Sequence, residues 1–269
     1  MVSLTVLGSG SAGNCSVLAS SQTRLLVDAG LSCREICRRM VLAGEDPLKL
    51  SAIIISHEHS DHISGVWVLA RKLNVPVYMT ALTYRAWRRY MREHGNGSGI
   101  TPALAKMETF EAGRRFTVGD ISVSPFTIPH DAADPVGFSF RVEGVKIGMV
   151  TDLGYMPASV VDNLRGCDGL LIESNHDLEM LRGGPYPWAV KQRVMSRVGH
   201  LSNEALAEFF ATDYDGGAAF LVLAHLSLQN NHPDLARSAA EQALAKRRGL
   251  MRSRLMLASQ HQPLEPIRL

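Results

Sequence analysis

The sequence predicts an α/β (α+β) protein in which two mixed β-sheets pack face to face and helices cover their outer sides. Three observations predict it. Short apolar runs bounded by Gly, Asp or Ser recur along the whole chain. Helical patterns alternate with them near both ends. A series of strands with no helix fills the middle. No Pro/Ser-rich linker and no repeat of fixed period divides the 269 residues, so 1–269 reads as one domain.

The elements follow in order. "SLTVLGSG", "CSVLAS" and "RLLVDAG" read as three short antiparallel strands. A helix from Ser32 to about Ala43 comes next, with Ser32 placed to cap it. "LSAIIISHEH" is a continuous apolar run and so a buried strand. A helical pattern resumes from Ile63 to Leu73, "VPVYMT" is a strand, and Thr83 to about His94 is helical. "HGNGSGITP" reads as a loop. Five strands follow: "KMETFEAG", "RRFTVGD", "ISVSPFTIPH", "GFSFRVEG" and "VKIGMVTDLG". After Asp152 the order is helix, strand ("GLLIES"), helix, helix, strand ("AAFLVLAHLS"), helix, strand ("RLMLASQ").

Composition excludes several classes. A net charge of +2 gives no global field for nucleic acid or membrane, so any basic surface is local. No apolar run reaches the roughly 18 residues of a membrane span. The first residues form a strand rather than a basic, apolar leader. The four cysteines form no CxxC pair, and Cys33 and Cys37 sit four apart in a helical pattern, where they pack or face solvent. A soluble, cytoplasmic protein is expected.

Chemistry concentrates in "SHEHSDHISG", where His57, Glu58, His59, Asp61 and His62 fall within six positions after a buried strand. Imidazole nitrogens and carboxylate oxygens are ligands for zinc and similar ions. In an extended segment alternate residues face one way, so His57 and His59 can hold one ion while Glu58 points elsewhere. A turn into a helix at Ser60 throws Asp61 and His62 to another side, where they can hold a second. Six residues cannot complete two coordination spheres. His130, Asp152 and His225 each end an apolar strand and supply the remaining candidates.

HEHSDH followed by His130, Asp152 and His225 resembles the metallo-β-lactamase superfamily over nearly the whole chain. The resemblance implies a four-layer αββα sandwich with a binuclear site at the sheet edges. It implies that His57, His59 and His130 hold the first metal, that Asp61, His62 and His225 hold the second, and that Asp152 bridges them. Zinc suits this set; manganese and iron are the alternatives. Asp152 stands where typical lactamases carry cysteine, and His59 where oxygen-reducing diiron relatives carry glutamate. The C-terminal helical region usual in glyoxalase II is not found.

Two further stretches bear on the substrate. Glu173 ends "LLIES", and His200 in "RVGHLSNEALAEFF" opens a helix. They are similar to the glutamate and histidine motifs of tRNase Z and related phosphodiesterases, where the histidine stands beside the metals and the glutamate orients it. With a hydroxide bridging the metals as nucleophile, His200 would stabilise or protonate the leaving oxygen, so His200, Glu173 and Asp61 are the expected catalytic residues. "GSGSAGNC", "ESNHD", "GPYPWAVKQRVMSRVGHLSN" and "LAHLSLQNNHP" together resemble the YycJ/WalJ-type branch, regarded as cytoplasmic nucleases with proposed DNA exonuclease activity.

Substrate contacts are expected from several places. Ser11 or Asn14 in the turn at 8–14 would touch phosphate, a plain tight turn being the alternative. Asn175 and His176 would line the same pocket. Arg85, Arg88, Arg89 and Arg92 share one face of a helix and would form a nucleic-acid track, or else a solvated basic face. The expected activity is thus a binuclear metal-dependent phosphodiesterase, acting on nucleic acid with DNA favoured over RNA. A small phosphodiester (a cyclic nucleotide or a phosphonate-derived ester) is the alternative, ahead of a thioester or lactone.

Overall fold

The computed structural model describes residues 1–94, 103–247 and 253–269. The expected loop at "HGNGSGITP" lies, beyond His94, outside the described residues.

The first sheet holds β1 (Ser3–Gly8), β2 (Cys15–Ala19), β3 (Arg24–Val27), β4 (Ala52–Ile54), β5 (Val77–Thr80), β6 (Met107–Phe110) and β14 (Ile267–Arg268), in the order β14-β1-β2-β3-β4-β5-β6. β1, β2 and β3 pair antiparallel as expected, whereas β3 to β6 run parallel. The second sheet holds β7 (Phe116–Val118), β8 (Ile121–Thr127), β9 (Val136–Val142), β10 (Val145–Val150), β11 (Gly169–Glu173), β12 (Phe220–Ala224) and β13 (Arg254–Leu257), in the order β13-β12-β11-β10-β9-β8-β7. It is antiparallel from β7 to β10 and parallel from β10 to β13.

Side chains from the two inner faces, among them Leu18, Leu25, Ile54, Phe138, Phe140 and Val222, fill the space between the sheets. The helices α1 (Cys33–Leu42), α2 (Ser60–Ile63), α3 (Val66–Leu73) and α4 (Ala81–His94) belong to the first sheet. Trp87, Ile36, Met40 and Leu69 bury against its outer face. The helices α5 (Ala158–Leu164), α6 (Leu178–Gly183), α7 (Trp188–Val194), α8 (Asn203–Thr212) and α9 (Pro233–Ala245) belong to the second, with Phe209, Phe210 and Ala240 in the outer core. Layers run helix, sheet, sheet, helix, the αββα sandwich expected.

Local chemistry accounts for the elements. The Ser32 hydroxyl accepts from the Glu35 amide at 3.2 Å and caps α1. The chain differs from the sequence reading in three places. β4 pairs only over Ala52–Ile54, because the backbone beyond it leaves the sheet to reach the site. Three helices, α6, α7 and α8, lie between β11 and β12 where two were expected, since "GGPYP" separates two short ones. β14, two residues long, carries too little pattern to be read.

All the parallel strands point their carboxyl ends to one edge of the sandwich. The loops leaving β1, β3, β4, β8, β10, β11 and β12 meet there, which is where ligands bind in sheets of this kind.

Candidate metal centre

The donor atoms of His57, His59 and His130 lie within 4.8 Å of one another, and so do those of Asp61, His62, Asp152 and His225. A third overlapping group joins Asp152, Glu173, His200 and His225. The half-sites divide at Ser60, the first residue of α2, whose N-cap is the extended His59. Asp152 lies between the sets: Oδ2 is 3.0 Å from His62 Nε2, and Oδ1 is 3.9 Å from His130 Nε2.

Four of the five candidate-ligand imidazoles are held in one tautomeric sense, His59 being the exception with its Nδ1 3.1 Å from His130 Nε2. His62 Nδ1 donates to Asp28 Oδ2 at 2.8 Å, His225 Nδ1 to Glu173 Oε1 at 3.0 Å and His130 Nδ1 to the Gly199 carbonyl at 3.1 Å. His57 Nδ1 donates to Ser56 Oγ at 3.1 Å, and that hydroxyl donates to the Asp28 carboxylate. Each Nε2 lone pair is therefore turned inward, as second-sphere partners orient metal-binding histidines. His57 Nε2 is buried with no hydrogen-bond partner. Converging lone pairs beside buried Asp152 and half-buried Asp61 are unfavourable unless a cation sits among them. The donor set fits divalent metal ions.

Strained backbone positions two candidate ligands and Asp28. Asp28, Asp152 and His225 follow β3, β10 and β12 with φ of 59°, 58° and 55°, left-handed values that cost a non-glycine residue on the order of 1 kcal/mol or more. Gly30 is required at its place, because a Cβ there would lie 1.6 Å from the Asp61 carbonyl oxygen.

Glu173 is fully buried. Its Oε1 accepts from His200 Nδ1 at 2.8 Å as well as from His225 Nδ1, while Oε2 accepts from the amides of Leu153 and Leu201. Burial alone would raise its pKa, but the imidazoles of His200 and His225 outweigh it and hold the carboxyl down at about 2. Burial likewise opposes a charged His200, yet Glu173 holds its pKa above the ordinary value.

A pocket of about 310 Å³ opens over this centre, lined by His59, Asp61, Asp152, His200 and His225, by Ser11, and by Asp131, Val190, Arg193 and Val194. Of the expected substrate contacts only Ser11 lines it. Asn14 is buried; its amide donates to Asp61 Oδ2 at 3.0 Å and accepts from the Gly10 amide and the Ser9 hydroxyl. Asn175 is buried and donates to the His225 carbonyl at 2.9 Å. His176 is 1% exposed, and burial pushes its imidazole down to about 4. Asn14 and Asn175 brace neighbouring site residues, and none of the three lines the pocket. Arg85, Arg88, Arg89 and Arg92 are exposed on α4, but none lines the pocket. Glu58 turns away as expected, and its carboxylate accepts from the Ala133 amide at 2.8 Å.

Asp28, Ser9 and Arg193 were missed from sequence. The Ser9 hydroxyl accepts from the His225 amide at 2.9 Å, tying the turn after β1 to the second sheet. Asp28 carried a signal, since it ends an apolar strand as Asp152 does.

Comparisons with known proteins agree with this geometry. Residues 23–226 match the family described as beta-lactamase superfamily domain. The chain is 39% identical over 243 residues to the exodeoxyribonuclease YycJ of Bacillus anthracis, covering 90% of this chain and 89% of that one. It is 39% identical over 242 residues to the exodeoxyribonuclease WalJ of Streptococcus pneumoniae, covering 90% and 88%. Its fold is shared with the metallo-beta-lactamase fold protein YhfI of Bacillus subtilis (TM-score 0.70, 19% identity, 98% and 100% covered) and with the short form of human tRNase Z (TM-score 0.63, 18% identity, 97% and 98% covered). The chain belongs to the beta-lactamase superfamily and, within it, to the family of the YycJ and WalJ proteins.

Proposed function

We propose that this chain is a binuclear metal-dependent phosphodiesterase that hydrolyses nucleic acid, with DNA as the favoured substrate and cleavage from an end. The observation that carries the reading is the Glu173–His200 pair, 2.8 Å apart beside Asp152. Hydrolysis of a thioester or lactone needs no such second imidazole. Relatives covering nearly the whole chain and named exodeoxyribonucleases support the choice of DNA.

His57, His59 and His130 would hold one ion, Asp61, His62 and His225 the other, with Asp152 reaching both. Zinc matches these nitrogen and oxygen donors, with manganese and iron as alternatives. A bound pair of divalent ions supplies Lewis-acid charge to the phosphate and lowers the pKa of the attacking water. The protein's own groups do the rest. Asp28 and Glu173 fix the tautomers of His62 and His225. Asp61 stands at the pocket wall, held by Asn14. Glu173 accepts the Nδ1 proton of His200 and leaves Nε2 of the protonated ring free to give its proton to the departing oxygen. We take 1–269 as one catalytic domain, since both sheets contribute ligands. We place it in the cytoplasm; all four cysteines are free, in keeping with a reducing compartment, and no described helix is long and apolar enough to cross a membrane.

A small phosphodiester is the second reading, favoured by the arginine face of α4 lying off the pocket. Metal-reconstituted protein, offered end-labelled single- and double-stranded DNA and RNA beside bis-p-nitrophenyl phosphate, separates them. Release of mononucleotides from DNA supports the first reading. Turnover of the small ester with all nucleic acids intact rejects it.

A further inference from the structure

The nucleic-acid track expected on α4 leaves the binding surface unassigned, and α7 occupies the place it would need. Val190, Arg193 and Val194 share one face of α7 and form a wall of the metal pocket. Arg193 Nε donates to Asp131 Oδ2 at 2.5 Å, and Asp131 Oδ1 lies 3.6 Å from His130 Nε2. The guanidinium is thus anchored by one edge at the mouth of the site. Its side chain is still 65% exposed, and its Nη groups make no hydrogen bond among the described residues.

The surroundings of Arg193 suit a polyanion. Between Glu179 and Glu204 the chain carries Arg182, Lys191, Arg193 and Arg197 and no carboxylate. Trp188, in the first turn of α7, is 64% exposed. The segment is fixed in place: the Asp131 amide donates to the Val198 carbonyl at 3.0 Å, and the approach at Gly154 is so close that a Cβ there would lie 2.2 Å from the Arg197 carbonyl oxygen. Arg193 is the one of these cations on the pocket wall, Arg182 being paired with Glu179, and Trp188 is exposed at the start of the same helix; a cation for phosphate and a ring for bases are the elements that hold single-stranded nucleic acid.

We propose that α7 is the single-strand-binding surface of this enzyme, with Arg193 receiving the phosphate next to the scissile one and Trp188 stacking a base of the same strand. The proposal rests on the phosphodiesterase reading above and assigns the strand a path over the second sheet's helices.

The test is equilibrium binding of a fluorescent single-stranded DNA to the metal-loaded full chain carrying His200→Ala, so that the strand is held rather than cut, at several salt concentrations. Adding Arg193→Ala should weaken binding about tenfold and flatten the slope of log affinity against log salt by about 0.7, the value for one lost single-strand phosphate contact. Arg193→Lys should restore the slope, because a point charge suffices. Trp188→Ala should weaken binding about tenfold with the slope unchanged. A parental slope in Arg193→Ala overturns the proposal. Cleavage of bis-p-nitrophenyl phosphate and DNA by the parent chain is measured alongside. Absence of both defeats the phosphodiesterase reading, whereas cleavage with an unaltered Arg193→Ala slope defeats only the α7 surface.

Discussion

Glu173 and His200 are joined through a 2.8 Å contact between Oε1 and Nδ1, and the same oxygen reaches His225 Nδ1 at 3.0 Å. One buried carboxylate thereby orients a histidine of the expected metal set and the histidine proposed as the acid.

Removing the acid should spare the metals. His200→Ala is expected to keep near-normal metal content and to lower phosphodiester turnover about 10²-fold or more. Elemental analysis and steady-state kinetics check it, and undiminished turnover would remove the acid role from His200.

Removing the carboxylate should affect both. Glu173→Gln is expected to weaken metal binding about 10- to 100-fold through His225 and to reduce turnover at saturating metal through His200. Titration against a coloured chelator separates the two effects. A variant with parental metal affinity would show that His225 does not depend on Glu173.

Asp28→Asn probes the other orienting carboxylate. Asn tolerates the φ of 59°, so the backbone survives while the charge on His62 Nδ1 is lost. About 10- to 100-fold weaker binding of the ion proposed at His62 is expected, with a smaller loss of the ion proposed at His57, which Asp28 reaches only through the Ser56 hydroxyl. Parental affinity for both ions would contradict the orienting role of Asp28.

Acid should release a contact far from the site. Glu35 accepts from Arg38 and Arg39, and these hydrogen bonds hold its carboxyl at about 2, below the ordinary 4.5. A depressed pKa means stability that is full above about 4.5 and is lost as pH falls toward 2. Solvent reaches the pair, so about 1 kcal/mol is expected rather than the full linkage value. Denaturant unfolding of Glu35→Gln should give a flatter acid limb than the parent; identical limbs would mean the pair contributes nothing.

Much of the candidate metal set was legible in sequence because His130, Asp152 and His225 sit where strands end, and an apolar run stopping at a lone His or Asp is visible in one dimension. The split at Ser60 was legible for a similar reason, since it is a change of period from strand to helix. Asn14 was read as a phosphate contact and Asn175 as a pocket-lining residue because nearness in sequence to the site says nothing of which way an amide faces. Burial turns them inward, onto Asp61 and His225. Arg193 escaped notice because its neighbour Asp131 is 62 residues away in sequence, and only the packing of α7 over β8's end brings them together. The periodic arginines of α4 drew attention by their spacing, yet spacing sets only which residues share a helix face, not where the helix lies.

The central claim is that two ions held by these seven residues are required for phosphodiester cleavage. It is tested most directly by titrating metal-free protein with zinc or manganese while measuring bis-p-nitrophenyl phosphate hydrolysis and bound metal together. Activity should rise with bound metal, reach its plateau at about two ions per chain and be lost again on chelation. Cleavage by metal-free protein, or none at all with both ions bound, would contradict it.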